Sequence, residues 1–358
     1  MPGPKLLSRR NLFELAGVIL AAGLARATVA AEGKLAQLGL VSFCLNHERV
    51  WQRQQQSGVD LQNPLLLIRH AAQLGFGGVQ VSLGNPAPEV RRAIREIVSE
   101  QGLFLEAIIN PPRQGADVAR FTAEVAAARE MGVSVARTVV MPGRRYEQFK
   151  TRAEFETASR EAREMLLRAE PIVRDHQLQL AVENHKDQRV AERLQLLDEF
   201  DPAWIGVCLD TGNNLALLED PLETITALVP RAFTVHLKDQ LLTEVSSGFL
   251  LGDVPLGQGQ LDLPAIVQQI RSLRPGIQLH LELITRDPLL VPCLQADYWE
   301  TLAEVSAREL ARSLMWIRSH PRETLQQQLS SLTVDERVAL ERLNLASSLN
   351  YARQRLGL

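Results

Sequence analysis

From Lys34 onward, short apolar runs alternate with longer stretches in which apolar residues recur at helical spacing. The runs lie at 37–45, 78–83, 104–110, 135–141, 178–185, 205–211, 233–239 and 278–284. Amphipathic stretches at 64–74, 88–101, 116–131, 152–175 and 263–273 separate them. Eight strands with helices between them predict a parallel sheet covered on both faces. The count of eight, with no GxGxxG turn after the first run, predicts a closed (β/α)8 TIM barrel rather than a doubly wound sheet.

Helix-start chemistry supports this division. Asp220-Pro221-Leu222-Glu223 offers an N-cap carboxylate, a proline at the first helical position and a glutamate at the third. Asn63-Pro64 and Asn85-Pro86 predict similar starts. Residues 297–319 predict the closing helix, which His320-Pro321 breaks. Thr333-Val334-Asp335-Glu336 carries a capping-box signal for a last helix to about residue 355, packed outside the barrel or against a second subunit in a homo-oligomer. The expected organisation is a barrel over 34–319 with a C-terminal helical extension over 320–358.

Strand alternation then locates the chemistry. Successive side chains point to opposite faces, so every second residue of a barrel strand points inward. With Leu180 and Val182 facing the helices, Ala181, Glu183 and His185 face in. Val207 and Leu209 facing out put Asp210 inside. The apolar set of 233–237 faces out and leaves Thr234, His236 and Lys238 inside. Leu279, Leu281 and Leu283 face out, with His280 and Glu282 inward. The last four strands thus present Glu183, Asp210, His236 and Glu282 to the axis near their C-terminal ends. A lone buried carboxylate is costly, whereas three beside one imidazole form a hard, oxygen-rich site for a single divalent cation. The competing explanation is a set of separate ion pairs with the barrel's own arginines and lysines.

Composition narrows the class. The net charge is −3, and basic and acidic residues are mixed throughout, so the footprint of a nucleic-acid partner is missing. Cys44, Cys208 and Cys293 are odd in number, without CxxC spacing, and predict no disulfide framework. At the N-terminus, Ser8-Arg9-Arg10-Asn11-Leu12-Phe13 resembles the bacterial twin-arginine motif. An apolar stretch at 15–24 and a small-residue run at 25–31 follow, too short and too Gly/Ala-rich for a stable membrane span. Residues 1–31 therefore predict an export signal and a periplasmic or otherwise extracytoplasmic protein. An uncleaved amphipathic helix is the other reading.

Val182-Glu183-Asn184-His185, Cys208-Leu209-Asp210-Thr211-Gly212-Asn213, Val235-His236-Leu237-Lys238-Asp239, Pro255-Leu256-Gly257-Gln258-Gly259 and Leu281-Glu282-Leu283 resemble, in this order, the xylose-isomerase-like barrel superfamily. The sugar phosphate isomerases and epimerases are most similar, over about Leu38 to Arg318. The resemblance implies that Glu183, Asp210, His236 and Glu282 bind one divalent ion (manganese, magnesium, cobalt or zinc) and that the substrate is a carbohydrate. In the family's epimerases the two ligand glutamates are acid and base. One removes a proton alpha to a carbonyl, the metal holds the enediolate oxygens, and the other returns a proton. Glu183 and Glu282 are the pair this implies. Ketose 3-epimerases carry His where Asn213 stands, Arg in place of Leu242 and an acid in place of Arg189, which points away from a free ketohexose.

Other residues complete the expected site. Lys238 is placed to hold a substrate oxygen or protonate a leaving group, or else to pair with Asp239 or Glu183. His185 is a substrate contact or a hydrogen-bond partner behind a ligand. Asn110 and His47 sit at the rim, as contacts or as loop caps, and His280 lies deeper as a core histidine. Four functions follow: an isomerase or epimerase of a sugar or keto-sugar; a lyase or dehydratase of a keto-sugar or 3-keto-glycoside; a phosphodiester hydrolase of the endonuclease branch; and a non-catalytic sugar-binding barrel. The endonuclease branch needs more histidines than His47, His185 and His236, and the full ligand set argues against the non-catalytic reading.

Overall fold

The computed structural model describes residues 35–55, 60–321 and 326–358. The export signal expected at 1–31 lies outside them. Seven parallel strands come first: β1 (Ala36–Val41), β2 (Phe76–Val81), β3 (Phe104–Ile108), β4 (Val135–Thr138), β5 (Gln179–Glu183), β6 (Ile205–Asp210) and β7 (Ala232–Leu237). A hairpin of β8 (Asp239–Val245) and β9 (Gly248–Val254) follows, then β10 (Gln278–Leu281) and the short β11 (Leu289–Val291). Strand β10 pairs with β7 on one side and with β1 on the other, which closes an eight-stranded parallel barrel. Strands β8, β9 and β11 form a separate antiparallel sheet.

All eight expected barrel strands are present, several of them shorter than the apolar runs. The hairpin β8–β9 escaped the sequence pattern because its turn, Ser246-Ser247, lacks the Asn-Gly or Asp-Gly signal of a tight two-residue loop. Among the helix starts, Asn63 caps Pro64–Gln73 and Asp220 caps Pro221–Leu228 through backbone N–H groups, as expected. Asn85-Pro86 starts nothing. The helix there begins at Pro88, and Asn85 Oδ1 instead accepts from Arg91 Nη2 at 2.6 Å. The expected helix over 297–319 begins only at Ala307, where Ser306 and Glu309 form a capping box. Residues Ala296–Trp299 make a single 3-10 turn.

The last helix, Val334–Tyr351, starts at the Thr333 capping box. Near its start Asp335 accepts from Trp51 Nε1 at 2.5 Å, and Arg342 pairs with Glu48 at 2.7 Å, both on the helix Asn46–Gln54 that follows β1. Past its far end, Arg353 donates to the carbonyl of Gly75 just before β2. It therefore runs along the outer wall by the seam where β10 meets β1. Among the described residues, no helix is long and apolar enough to cross a membrane.

Alternation holds along most of the inner wall. Leu180, Val182, Val207, Leu209, Leu279 and Leu281 are buried in the main core under the helices, while Ala181 and Cys208 form a small separate cluster with Val135. Phe233 is the exception: it joins that inner cluster instead of facing out. Pairing of β6 with β7 slips between Val207↔Ala232 and Cys208↔Thr234, which leaves Phe233 as the extra residue of a bulge. Lower in the barrel, Gly39 and Gly78 leave room for His280 and Phe104, into which a Cβ would run. The two rings meet edge to face, centroids 5.2 Å apart.

Candidate metal centre

Glu183 ends β5, Asp210 ends β6, His236 is next to last in β7, and Glu282 follows β10 directly. All four sit at the C-terminal mouth, where barrels of this kind keep their chemistry. One donor atom from each lies within 4.8 Å of the others, and all four side chains are buried.

Local contacts fix each of them. Asp210 Oδ1 accepts the backbone N–H of Gly212 at 2.9 Å and of Asn213 at 2.8 Å, leaving Oδ2 turned elsewhere. Asn184 bridges the ends of β5 and β6, accepting from the Asp210 N–H at 2.7 Å and donating to its carbonyl at 2.9 Å. The Gln80 amide donates to Glu106 Oε2 at 3.0 Å, so its oxygen faces His236 Nε2 at 2.7 Å. That arrangement assigns a proton to Nε2 and turns Nδ1 toward Glu282, 3.2 Å away.

Two cations enter the cluster. Arg137, from β4, donates through Nε to Glu183 Oε2 at 2.5 Å, and Asn213 Nδ2 donates to Glu183 Oε1 at 3.0 Å. Lys238 Nζ lies 3.0 Å from Asp210 Oδ2, 2.8 Å from Glu282 Oε2 and 3.2 Å from Asn213 Oδ1. The partners expected for it, Asp239 and Glu183, are thus replaced. Asp239 spends its oxygens on the backbone N–H groups of Gly257, Gly259 and Leu261, and Glu183 is taken by Arg137. Burial pushes Asp210 up to about 6 in spite of Lys238. Burial also opposes ionisation of Glu183, yet Arg137 holds it at about 2. Lys238 and His236 likewise outweigh burial at Glu282 and hold it well below the usual carboxylate range.

Ion pairs account for part of this charge and leave a remainder. Arg137 and Lys238 supply two positive charges for three carboxylates. Asp210 Oδ2, His236 Nδ1 and Glu282 Oε2 are buried without a well-directed hydrogen bond, the lysine contacts being too bent to serve as one. Orphaned buried polar atoms are rare in proteins, and these three converge with the Glu183 carboxylate. Three carboxylates and one imidazole suit a hard divalent cation, and the residues present fit such an ion.

The remaining expected site residues divide in two. Asn213 lies at the centre, bonded to Glu183, Asp210 and Lys238. His185 is in the loop after β5, with Nδ1 at 3.1 Å from the Gly143 carbonyl. His47 has Nε2 at 2.8 Å from the Thr285 carbonyl and its backbone N–H on Glu341, while Asn110 is exposed beyond β3 and accepts from Arg120 through its carbonyl. Those bonds do not reach the cluster. Arg189 caps Val190–Leu197 and pairs with Glu219 and Glu309, and Leu242 is buried in β8. Sequence reasoning passed over Gln80, Glu106, Arg137 and Lys186. The first three were visible as polar residues inside strands that are otherwise apolar.

Residues 68–320 match the family model for the xylose isomerase-like TIM barrel, and the chain belongs to that family. A stretch of 114 residues is 32% identical to 3-oxo-isoapionate decarboxylase of Pectobacterium atrosepticum, covering 31% of this chain and 42% of that protein. The chain thus matches well under half the length of this curated relative. Among solved structures, a D-psicose 3-epimerase in the presence of D-fructose has a TM-score of 0.53 at 15% identity, covering 82% of this chain and 94% of the other. The probable 3-DHS dehydratase of petrobactin synthesis from Bacillus anthracis has a TM-score of 0.51 at 15% identity, covering 75% and 99%. At such identities the likeness is one of fold.

Proposed function

We propose that this chain is a divalent-metal-dependent enzyme that removes a proton alpha to the carbonyl of a sugar or keto-sugar, with isomerisation or epimerisation as the outcome. The observation that carries this reading is the convergence of Glu183, Asp210, His236 and Glu282 donors within 4.8 Å at the barrel mouth. A bound divalent ion supplies Lewis-acid polarisation of substrate oxygens. Glu282 is the base of this reading: it follows β10 directly at the barrel mouth, and its Oε2 is a buried oxygen without a well-directed hydrogen bond. Glu183 is the partner acid of this reading. Asn213, Lys238 and His185 are its substrate contacts, with His47 and Asn110 farther out. Metal-dependent deuterium uptake across a panel of keto-sugars and 3-keto-glycosides tests it. Turnover should vanish in Glu282→Gln, and unchanged turnover there would remove Glu282 from the mechanism.

One observation favours a second outcome, elimination. Both Glu183 oxygens are engaged, by Arg137 and by Asn213, which suits a single-base reaction better than proton exchange between two carboxylates. In that case Glu282 takes the alpha proton, the electron pair forms a carbon–carbon double bond, and the beta C–O bond breaks. Lys238 then protonates the departing oxygen. Release of water or an alcohol would assign this outcome, and deuterium uptake into product without such release would assign the first. Export by the twin-arginine route belongs to the same proposal. Changing Arg9 and Arg10 to lysine should keep the protein in the cytoplasm, as read by cell fractionation.

A further inference from the structure

Every other cation buried at the barrel mouth has a carboxylate. Arg137 has Glu183, Lys238 has Asp210 and Glu282, Arg193 grips Asp187 at 2.9 Å, and Arg145 reaches Glu192 at 2.7 Å. Lys186 is 2% exposed and pairs with no carboxylate among the described residues. Its ammonium donates to Asn213 Oδ1, the same amide oxygen that Lys238 uses. An amide dipole offsets a buried charge far less than a carboxylate does. Burial and the neighbouring Lys238 accordingly push Lys186 down to about 7. Asp253, the acid outside the metal cluster whose charge favours both lysines, is occupied by Arg286 at 2.9 Å and Gln240 at 2.8 Å.

Charge counting sharpens the point. At this mouth, Arg137, Lys186, Lys238 and Arg286 balance Glu183, Asp210, Glu282 and Asp253 before any ion binds. A divalent cation adds two positive charges to a buried, balanced region, which then favours an anionic guest. We propose that Lys186, flanked by Lys238 and Arg286, seats an anionic substituent of the substrate beside the metal centre, so that the substrate is an acidic sugar rather than a neutral one. The anion is a carboxylate or a phosphate. This rests on the sugar-binding reading of the site, and Lys186 acts in it as a specificity-determining residue.

Calorimetric titration tests it with D-gluconate, D-glucitol 6-phosphate and uncharged D-glucitol, on manganese-loaded and on EDTA-treated full-length protein. At least one acid should bind the wild type tenfold or more tighter than glucitol, and which acid wins assigns carboxylate or phosphate. Lys186→Met should lose that preference while Lys186→Arg keeps it. Should Lys186→Met fail to fold, Arg286→Gln, whose position is partly exposed, should lower the same preference several-fold. Equal binding of acid and neutral ligand by the wild type, or an undiminished preference in Lys186→Met or Arg286→Gln, overturns the proposal. Deuterium uptake by a neutral keto-sugar without acid preference would leave the enzyme reading standing and end this one. Acid preference through Lys186 without any turnover would do the reverse.

Discussion

Arg137 and Glu183 meet inside the barrel with both side chains removed from water. Removing one partner of such a pair strands the other charge, which typically costs about 3–5 kcal/mol. Arg137→Met should therefore lower stability by about that amount in urea denaturation, and adding Glu183→Gln should recover part of it. If the two changes simply add, the pair is not the unit described. The four donors themselves were legible residue by residue, because apolar residues at alternate positions of each strand fixed which way each one pointed. Phe233 was not, since a bulge slips the alternation without leaving a mark in the residues themselves. Arg137 and Lys186 were missed for another reason: which cation meets which carboxylate is decided by neighbouring strands and loops, not by local pattern.

The contact between helices Asn46–Gln54 and Val334–Tyr351 carries two carboxylates that titrate in opposite directions. Burial pushes Glu341 up to about 7, although its oxygens accept the N–H groups of His47 and Glu48 at 2.9 Å. Burial opposes ionisation of Glu48 too, but His70 and Arg342 hold it at about 2. For Glu341 the folded form binds its proton more tightly than the unfolded chain. Its contribution is full below the ordinary glutamate range and is lost as pH rises through about 7. For Glu48 the contribution is present above that range and is lost as pH falls through about 2. Of these two carboxylates only Glu341 changes between about pH 5 and 8, and it contributes a fall of roughly 2 kcal/mol that Glu341→Gln should remove from the profile. Urea midpoints of wild type and Glu341→Gln across that range decide it; parallel profiles would assign the slope to other groups, Asp210 among them. At this scale the capping box at Thr333 was readable, because a start signal is local, whereas residues 297–305 were wrongly included in a helix that begins only after the Ser306 cap.

For the molecule as a whole, an ion that binds only the folded barrel stabilises it by mass action, about 2.7 kcal/mol at a hundredfold excess over its dissociation constant. EDTA should lower the thermal midpoint, and manganese or magnesium should restore it at one equivalent per chain by elemental analysis. A midpoint indifferent to both would remove the metal centre. A second expectation concerns the outer wall. Deleting 326–358 uncovers the seam of β10 and β1, and the shortened protein should aggregate rather than refold. The barrel was legible from the count of apolar runs, but the position of the last helix along that seam was not, since nothing in its own pattern names the surface it covers.

Ring closure also orders events in the life of each molecule. The two strands that meet at the seam come from opposite ends of the barrel sequence, through Gly39↔His280 and Leu40↔Leu281, and Glu282 is the next residue. Until the ribosome has delivered that segment, the nascent sheet keeps two open edges and the cation finds only three of its four donors. On the proposed metal reading the fourth donor arrives only with that segment, and apo-protein refolded first and given manganese afterwards should take up its full equivalent.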